Sequence, residues 1–298
     1  MTNTYSGKTE FALRRWWGPV PTYPKVESYE NTAHMEAIIN ERLLMLGGPC
    51  SVESADQIHA IAQRLGRLKV QYLRGGIYRA GTYPNRSRGF GLIDETLIAE
   101  FARAAHENGM KTVVEVLEYS PQAMAIYDKY GDAYQVGARQ MQNYPLLKML
   151  SQRKRPVFLK RAVGATIDEF LGSAEWLLQN GTCDVILIER GSATNATHVR
   201  WDLSISMIPA IGTITNLPVL VDASHGTGRR DLVIPMTLAG VAAGAAGCLF
   251  ETHPQPRNSI SDADQAISIE DAEYLVTKAR DIQMVLRNCS TLGSNQTV

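Results

Sequence analysis

Short apolar runs alternate with longer amphipathic segments along most of the chain, and this alternation is typical of an α/β fold. Several helix-like stretches begin on Ser, Thr or Asp and end near Gly, the residues that cap helix ends. These stretches include 54–68, 94–109, 120–131, 166–181 and 230–244. The runs with the length and composition of buried strands are 42–48, 70–76, 111–117, 133–138, 155–160, 183–189, 217–222 and 245–251.

This series of strand-then-helix units predicts a single (β/α)8 TIM barrel, a fold that repeats the unit eight times in about 250 residues. We predict an N-terminal extension over 1–40, the barrel as the catalytic domain over 41–288 and a flexible tail over 289–298. The extension contains "RRWWGPVPTYP" (14–24), which suits a strap over the barrel, a subunit contact or a plug at the barrel bottom. A doubly wound open sheet is the alternative, but "GGPCSVES" (47–54) lacks the glycine spacing of a dinucleotide-binding turn.

Composition narrows the function classes. The 298 residues are 45% hydrophobic and 20% charged, which suits a protein with a large buried core. Lys plus Arg and Asp plus Glu both number 30, so no net field favours nucleic acid or an anionic membrane as a partner. Four scattered cysteines, no secretory signal and no apolar run of membrane-spanning length predict a reduced, cytoplasmic protein.

The loops after parallel barrel strands converge on one face, so residues at the strand ends are candidates for chemistry. Cys50 follows the first strand, His225 follows the seventh, Glu251 ends the eighth and Asp262 lies in the loop beyond it. A thiolate, an imidazole and two carboxylates form a donor set for a divalent transition metal. Taken singly, a Cys or His after a strand is more often a core or hydrogen-bonding residue, and that interpretation stays open here.

A second group of strand-end residues is basic. Its members are Arg74, Arg139, Lys160 and Arg190. Burying such charges is costly unless an opposite charge meets them. Their convergence predicts a pocket for a compact, highly anionic substrate, since Arg grips phosphate and carboxylate with two hydrogen bonds. The alternative is a set of structural ion pairs, with Glu115 or Glu189 as partners. Arg161 follows Lys160 on the same strand and should point to the other face.

A series of motifs, in unbroken order over roughly 40–288, resembles the 3-deoxy-D-arabino-heptulosonate 7-phosphate (DAHP) synthase family. The likeness is strongest to the bacterial branch shared with 3-deoxy-D-manno-octulosonate 8-phosphate synthase. An ordered series of motifs is far more specific than any single motif. The motifs are "GGPCSVES", "LRGG", "QVGARQMQNYPLLK", "FLKRAVGATIDEF", "ILIERG", "DASHGTGRRDLVIP" and "FETHPQP" followed by "SDADQ".

The resemblance implies a TIM-barrel transferase that condenses phosphoenolpyruvate with a phosphorylated aldose and releases phosphate, in aromatic amino acid biosynthesis through the shikimate pathway. It implies a divalent metal ion (Mn, Fe, Co or Zn) and a homodimer or homotetramer. The family's metal ligands match Cys50, His225, Glu251 and Asp262. Its phosphoenolpyruvate-binding positions match Arg74, Arg139, Lys160 and Arg190. Catalytic roles are implied for Lys160, Cys50 and His225.

The sequence departs from the family where the aldose acceptor binds. The family's Lys-Pro-Arg-Thr-Ser loop is "RAGTYPNRSRGFG" (79–91) here, and the later Ile-Arg-Thr is "SAT" (192–194). Losing two cationic contacts costs on the order of several kcal/mol of binding unless they are replaced. The acceptor is then erythrose 4-phosphate held by other groups, or a different aldehyde used in a specialised pathway. The candidate acceptor residues are Arg79, Thr82, Arg86, Arg88, His198 and Arg200.

Two other classes remain as alternatives. A Schiff-base aldolase would use a strand-end lysine such as Lys160 but would not need four metal ligands. A non-catalytic regulatory or assembly subunit would be expected to lose ligands or phosphoenolpyruvate contacts. Every matching metal and phosphoenolpyruvate position is intact, and this favours an enzyme.

Overall fold

A computed structural model describes residues 43–77, 94–179 and 184–293 of the 298-residue chain. The extension predicted for 1–40 and the divergent loop 79–91 lie outside these ranges. Four of the candidate acceptor residues therefore lie outside the described structure, namely Arg79, Thr82, Arg86 and Arg88.

Eight parallel strands close into a barrel in which each strand pairs with the next and β1 pairs with β8. This confirms the predicted (β/α)8 fold and excludes an open sheet, which would leave β1 and β8 as edges. The strands are β1 Leu44–Gly48, β2 Tyr72–Arg74, β3 Lys111–Glu115, β4 Ala133–Val136, β5 Val157–Lys160, β6 Val185–Glu189, β7 Val219–Asp222 and β8 Gly247–Glu251.

Helices follow the strands along the chain, and several begin as the capping residues predict. Ser54, Asp94 and Ser120 each accept a hydrogen bond from a backbone N–H in the first turn of the helix that follows. The helices are α1 Ala55–Arg67, α2 Glu95–Glu107, α3 Pro121–Tyr130, α4 Tyr144–Ser151, α5 Ile167–Gln179, α6 Met207–Gly212, α7 Ala223–Thr227, α8 Arg230–Ala242 and α9 Ile269–Gly293.

Two apolar layers hold this arrangement together. The larger layer lies between the strands and the helices, and it buries residues such as Leu73, Leu159 and Phe250. The smaller layer fills the barrel interior with alternate strand residues, among them Tyr72 and Phe158, whose rings meet edge to face at 5.1 Å. Strand side chains alternate between the two faces. The residue two positions after an interior-layer residue therefore also points inwards, and at the carboxyl end of a strand it lies at the mouth of the barrel.

The final helix runs to Gly293, five residues into the segment for which the sequence predicts a tail. The domain boundaries at 40 and 288 stay predictions. No helix in the three described ranges combines the length and apolar character needed to cross a membrane.

Candidate active site

Polar side chains occupy the inward positions at the mouth of the barrel. Four of them are the last residues of their strands: Arg74, Lys160, Asp222 and Glu251. Each lies two residues after a member of the apolar interior layer, so the alternation that fills the barrel also aims these charges into its mouth. All four are buried, and their charges have to be balanced within the site.

Glu251 lies at the centre of this polar layer. Its Oε1 atom accepts a hydrogen bond from the Arg74 guanidinium at 2.5 Å and lies 3.3 Å from Nε2 of His225. Its Oε2 atom accepts from the side-chain amide of Gln265 at 2.6 Å. The backbone N–H of Glu251 donates to the Ser224 hydroxyl at 3.1 Å, which fixes the end of β8 against α7. Glu251 therefore joins the predicted metal ligands to the predicted substrate-binding cations.

Three predicted metal ligands come together at one side of the mouth. One donor atom each from Cys50, Glu251 and Asp262 lies within 4.8 Å of the other two, and the Cys50 thiol donates to the Asp262 carboxylate at 2.8 Å. Asp262 has a φ of 51°, a left-handed conformation that Asp adopts more readily than most residues other than Gly. His225 adjoins this cluster through its contact with Glu251.

The donor set suits a divalent transition metal. A thiolate and two carboxylates lie together with an imidazole beside them, which combines soft and hard ligands, and a third carboxylate, Asp222, lies behind the imidazole. Nδ1 of His225 lies 3.0 Å from Oδ1 of Asp222. With Nδ1 donating to Asp222, the lone pair of Nε2 faces Glu251, an arrangement typical of metal-binding histidines.

Asp222 also holds Lys160. The Lys160 ammonium lies 2.9 Å from Oδ2 of Asp222 and 3.3 Å from Nδ1 of His225. Burial alone would raise the pKa of the Asp222 carboxyl, but the charges of His225 and Lys160 and the hydrogen bonds from His225 hold that pKa well below its usual range. Asp222 therefore stays ionised between Lys160 and His225.

Arg190 supplies a further cation immediately after β6. Its guanidinium lies 5.7 Å from the centre of the Trp201 ring, and one of its nitrogens lies 3.5 Å from the His225 carbonyl. Within the described part of the chain, Nε and Nη1 of Arg190 are buried and have no hydrogen-bond partner. Burial lowers the pKa of Arg190, although a guanidinium remains charged in proteins. Buried N–H groups that lack a partner are the donors that an anionic ligand would satisfy.

The remaining candidates in the described ranges are more exposed. Arg139 lies in a 3-10 turn (Ala138–Gln140) directly after β4, on the same side of the barrel as the other strand ends. Arg200 extends from the loop after β6 to within 3.6 Å of Oδ1 of Asp262. The carbonyl of His198 accepts a hydrogen bond from Arg229 at 3.0 Å. Of the two candidate acceptor residues within the described ranges, Arg200 therefore lies against the donor cluster.

Arg161 points away from the mouth, as its position next to Lys160 predicts. It is buried between the barrel wall and the following loops, where Nε contacts Glu189 at 2.5 Å and Nη1 donates to the Ala165 carbonyl at 2.9 Å. Ser192, which begins the altered "SAT" segment, lies 3.0 Å from the same guanidinium. The structural ion pair considered from the sequence for Glu189 is thus formed by Arg161.

Sequence reasoning missed three residues that shape this site: Asp222, Gln265 and Trp201. Asp222 has a recognisable signal, because it ends a strand at the same inward position as Lys160 and precedes His225 by three residues. Gln265 and Trp201 lie in loops, where no periodicity indicates the direction of a side chain. Their roles depend on tertiary contacts alone.

The glycine before the Cys50 turn is required by the barrel itself. Gly48 has a φ of 150°, and a Cβ at this position would lie 2.0 Å from the carbonyl oxygen of Arg74 on the neighbouring strand. Any side chain here would push β1 and β2 apart just below two of the site residues, Cys50 and Arg74.

This fold defines a (β/α)8-barrel protein whose mouth brings a cluster of metal-type donors next to several cations. Comparison with known proteins then identifies the family. The model of the DAHP synthetase I family matches residues 30–286, and the chain belongs to this family. The match includes residues 30–40, the last eleven residues of the segment that the sequence suggests as an extension.

Individual relatives agree with this assignment. The chain is 39% identical over 243 residues to a phospho-2-dehydro-3-deoxyheptonate aldolase of Thermotoga maritima, covering 82% of this chain and 70% of that one. A 2-dehydro-3-deoxyphosphooctonate aldolase of Desulfotalea psychrophila is 24% identical over 253 residues, covering 79% of this chain and 88% of the relative. These two names correspond to the two branches that the motifs resemble.

Solved structures give the same result. The crystal structure of the Thermotoga maritima phospho-2-dehydro-3-deoxyheptonate aldolase superposes with a TM-score of 0.77 at 38% identity, covering 82% of this chain and 70% of that chain. A truncated form of 3-deoxy-D-arabino-heptulosonate 7-phosphate synthase from the same organism gives a TM-score of 0.74 at 37% identity. It covers 82% of this chain and 87% of that chain.

Proposed function

We propose that this protein is a transferase that condenses phosphoenolpyruvate with an aldose phosphate, releases inorganic phosphate and forms a 3-deoxy-2-ulosonate phosphate, as a DAHP synthase does. The observation that carries the proposal is the position of Glu251, whose Oε1 contacts both the Arg74 guanidinium and His225. This carboxylate places the metal-type donor cluster and the substrate-type cations side by side, and the condensation needs both.

Cys50, His225, Glu251 and Asp262 would hold the divalent metal. When bound, the ion would act as a Lewis acid that polarises the aldehyde of the acceptor. The identity of the metal and the oligomeric state stay predictions. A zinc, iron, manganese or cobalt ion is compatible with this mixture of ligands.

The cations would bind and orient phosphoenolpyruvate. Arg190 brings two buried nitrogens that have no partner among the described residues, and Arg74 and Lys160 bring charges that Glu251 and Asp222 hold at the mouth. Arg139 would add a fourth cation from the neighbouring loop. Together these groups would fix the phosphate and carboxylate so that carbon 3 faces the aldehyde, and orientation of this kind lowers the barrier to bond formation.

Lys160 would hold the proton that the reaction requires. A new bond joins carbon 3 of phosphoenolpyruvate to the aldehyde carbon, water adds to carbon 2, and the bond between carbon 2 and the phosphate oxygen breaks. The electron pair of that bond leaves with the phosphate. The water oxygen becomes the carbonyl oxygen of carbon 2 and gives up both of its protons, one of which matches the proton gained by the aldehyde oxygen while the other leaves with the phosphate. The Lys160 ammonium, held by the ionised Asp222, lies where it would exchange a proton with one of these oxygens.

The identity of the aldehyde acceptor is a separate part of the proposal. Ser192 at the start of the "SAT" segment contacts Arg161 outside the barrel mouth, and Ala193 beside it carries no charge. Arg200, next to Asp262, would supply a cation on the acceptor side instead. Membership of the family favours neither a Schiff-base aldolase nor a non-catalytic subunit. We propose erythrose 4-phosphate as the first acceptor to test, with another aldehyde in a specialised pathway as the alternative.

The deciding experiment measures phosphate release from phosphoenolpyruvate by metal-reconstituted protein across a panel of aldehydes that includes erythrose 4-phosphate and arabinose 5-phosphate. We expect turnover that Lys160→Met lowers by roughly 10²- to 10⁴-fold, since a positioned proton donor contributes about that factor. Lys278→Met is the matched control, because Lys278 pairs with Asp281 on the outer surface of α9. No phosphate release with any metal and any aldehyde would contradict the proposal.

A further inference from the structure

Two loops from opposite ends of the barrel sequence meet at the proposed metal cluster. Cys50 lies in the loop after β1, and Asp262 lies in the loop after β8, 212 positions further along the chain. Neither residue belongs to a strand or a helix, so the backbone ladder of the barrel does not fix their separation. Other contacts between the two loops must do so.

Glu53 makes the main contacts between these loops. Its Oε1 atom accepts hydrogen bonds from the backbone N–H of Ile260 at 2.9 Å and from the Ser259 hydroxyl at 3.3 Å. The same oxygen lies 3.4 Å from Nε2 of His253. Beside it, the hydroxyl groups of Ser51 and Ser261 lie 2.8 Å apart. The two loops are therefore joined through Ser51, next to Cys50, and through Ser261, next to Asp262.

The Glu53 side of this contact is fixed to helix α1. The backbone N–H of Glu53 donates to Oε1 of Gln57 at 2.9 Å, and the Gln57 amide donates to the Ser51 carbonyl at 3.3 Å. Gln57 is buried in the first turn of α1, whose N-terminus is capped by Ser54. Glu53 thus presents its carboxylate from a rigid support, and only 19% of its side chain is exposed.

Arg230 holds the part of the loop that follows Asp262. Nε of Arg230 donates to the Ala266 carbonyl at 2.6 Å, and another nitrogen of the same group donates to the Ala263 carbonyl. Asp262 lies between this contact and the Glu53 contact, in the left-handed conformation with φ of 51°. Asp adopts this conformation more readily than most residues other than Gly, and here contacts on both sides hold the turn.

We infer that Glu53 is a positioning residue for the metal cluster, which sets the distance between the Cys50 thiol and the Asp262 carboxylate. It acts through Ile260 and Ser259 and does not contact the substrate or the ion. The inference rests on the proposed function, because it assigns Glu53 to the metal site proposed there. Groups that orient metal ligands contribute about 10- to 100-fold to metal affinity.

The test is a titration of the metal-free protein with cobalt(II), followed by the near-ultraviolet absorption of a thiolate–cobalt bond. This band reports the contact between Cys50 and the ion without any measurement of turnover. Glu53→Leu removes the acceptor oxygen, whereas Glu53→Gln keeps an oxygen for the Ile260 N–H. Glu273→Leu is the matched control, because Glu273 contacts Arg64 at 2.5 Å on the outer ring of helices.

We expect Glu53→Leu to weaken cobalt binding by 10-fold or more and to reduce the band, while Glu53→Gln and Glu273→Leu stay within about threefold of the wild type. Wild-type affinity and an unchanged band in Glu53→Leu would overturn the inference and leave the metal site intact. If the wild type gives no band, or Cys50→Ser keeps one, the metal site itself is wrong and the inference falls with it.

A milder substitution keeps the inference testable if Glu53→Leu does not fold. Ser261→Ala removes the contact with the Ser51 hydroxyl and leaves Glu53 in place. We expect it to weaken cobalt binding severalfold, with far-ultraviolet circular dichroism and unfolding of the metal-free protein like those of the wild type. Binding as tight as that of the wild type in Ser261→Ala, with Glu53→Leu unfolded, would count against the positioning role of these loop contacts.

Discussion

Lys160 and Arg161 are consecutive residues whose side chains form ion pairs on opposite faces of the barrel wall. Lys160 contacts Asp222 at 2.9 Å inside the mouth, and Arg161 contacts Glu189 at 2.5 Å outside it. The two residues carry the same charge and differ in direction because strand side chains alternate. Their functions should separate accordingly, with substrate chemistry on one face and stability on the other.

Replacing Arg161 tests the outer face. Arg161→Met leaves Glu189 buried without its charged partner, and such a loss costs about 3–5 kcal/mol of the free energy of unfolding. We expect this loss in denaturant unfolding, with an unchanged KM for phosphoenolpyruvate in the protein that remains folded. Arg153→Met, at a partly exposed pair with Asp128, should cost no more than about 1 kcal/mol. A large rise in KM without a loss of stability would place Arg161 in the substrate site.

The close approach of Gly48 to β2 gives a second prediction. Gly48→Ala places a Cβ 2.0 Å from the Arg74 carbonyl oxygen, so we expect the variant to unfold at much lower denaturant concentration or to accumulate as insoluble protein. Gly164→Ala is the control, because a Cβ there meets nothing within 4 Å. Thermal unfolding followed by circular dichroism compares the two. Equal stability of both variants would show that β1 and β2 tolerate a wider separation.

Trp201 is expected to support phosphoenolpyruvate binding through Arg190. Its ring lies 5.7 Å from the guanidinium carbon, and a cation–π contact of this kind contributes about 0.5–2 kcal/mol, or roughly 2- to 30-fold in affinity. Trp201→Ala should raise the KM for phosphoenolpyruvate within that range, and Trp201→Phe should raise it less. Trp176→Ala, in the exposed stack with Tyr144, should leave this KM unchanged. Identical KM values for Trp201→Ala and the wild type would exclude the contribution.

Cys248 should resist thiol reagents in the folded protein. Burial raises the pKa of its thiol to about 12, so at pH 8 almost none of the reactive thiolate is present, and the sulfur lies against Met45 inside the barrel wall. We expect iodoacetamide to modify Cys248 only after denaturant is added, as mass spectrometry of its peptide would report. Rapid modification under native conditions would contradict the burial of this side chain.

The same shift predicts a loss of stability at high pH. A thiol in the unfolded chain ionises near pH 9, whereas the folded thiol keeps its proton until about pH 12. The folded state therefore binds more protons across this interval, and the free energy of unfolding falls as the pH rises through it. Denaturant unfolding of the wild type and of Cys248→Ala at pH 8 and pH 10.5 measures the effect. The difference between the two proteins should change with pH, and a constant difference would contradict the prediction.

The strands and the cations at their ends could be predicted because a strand has a simple period. Once β5 is located, Lys160 must face the mouth and Arg161 must face the helices. The donor cluster of Cys50, Glu251 and Asp262 also follows from closure of the barrel, which brings the two ends of the sheet together. These inferences need only the order of the strands and the alternation within them.

The partners of these residues could not be predicted in the same way. Lys160 meets Asp222 rather than Glu115 or Glu189, and that choice depends on the stagger between strands across the barrel mouth. Glu53 lies in the quoted "GGPCSVES" motif, but its contact with Ile260 depends on two loops whose backbone has no repeating pattern. The residue types in a loop indicate which chemistry it could support. The residues that each side chain contacts depend on tertiary packing.

The pairing of β1 with β8 has a consequence for how the protein matures. During synthesis the Cys50 thiol leaves the ribosome more than 200 residues before the Asp262 carboxylate that it contacts. Until the final strand docks, the Cys50 thiol therefore lacks its Asp262 partner and is open to oxidants and to other metal ions in solution. An ion that needs both groups would then bind late, after the final strand docks, and a chain that stops before residue 262 would lack one of the proposed ligands.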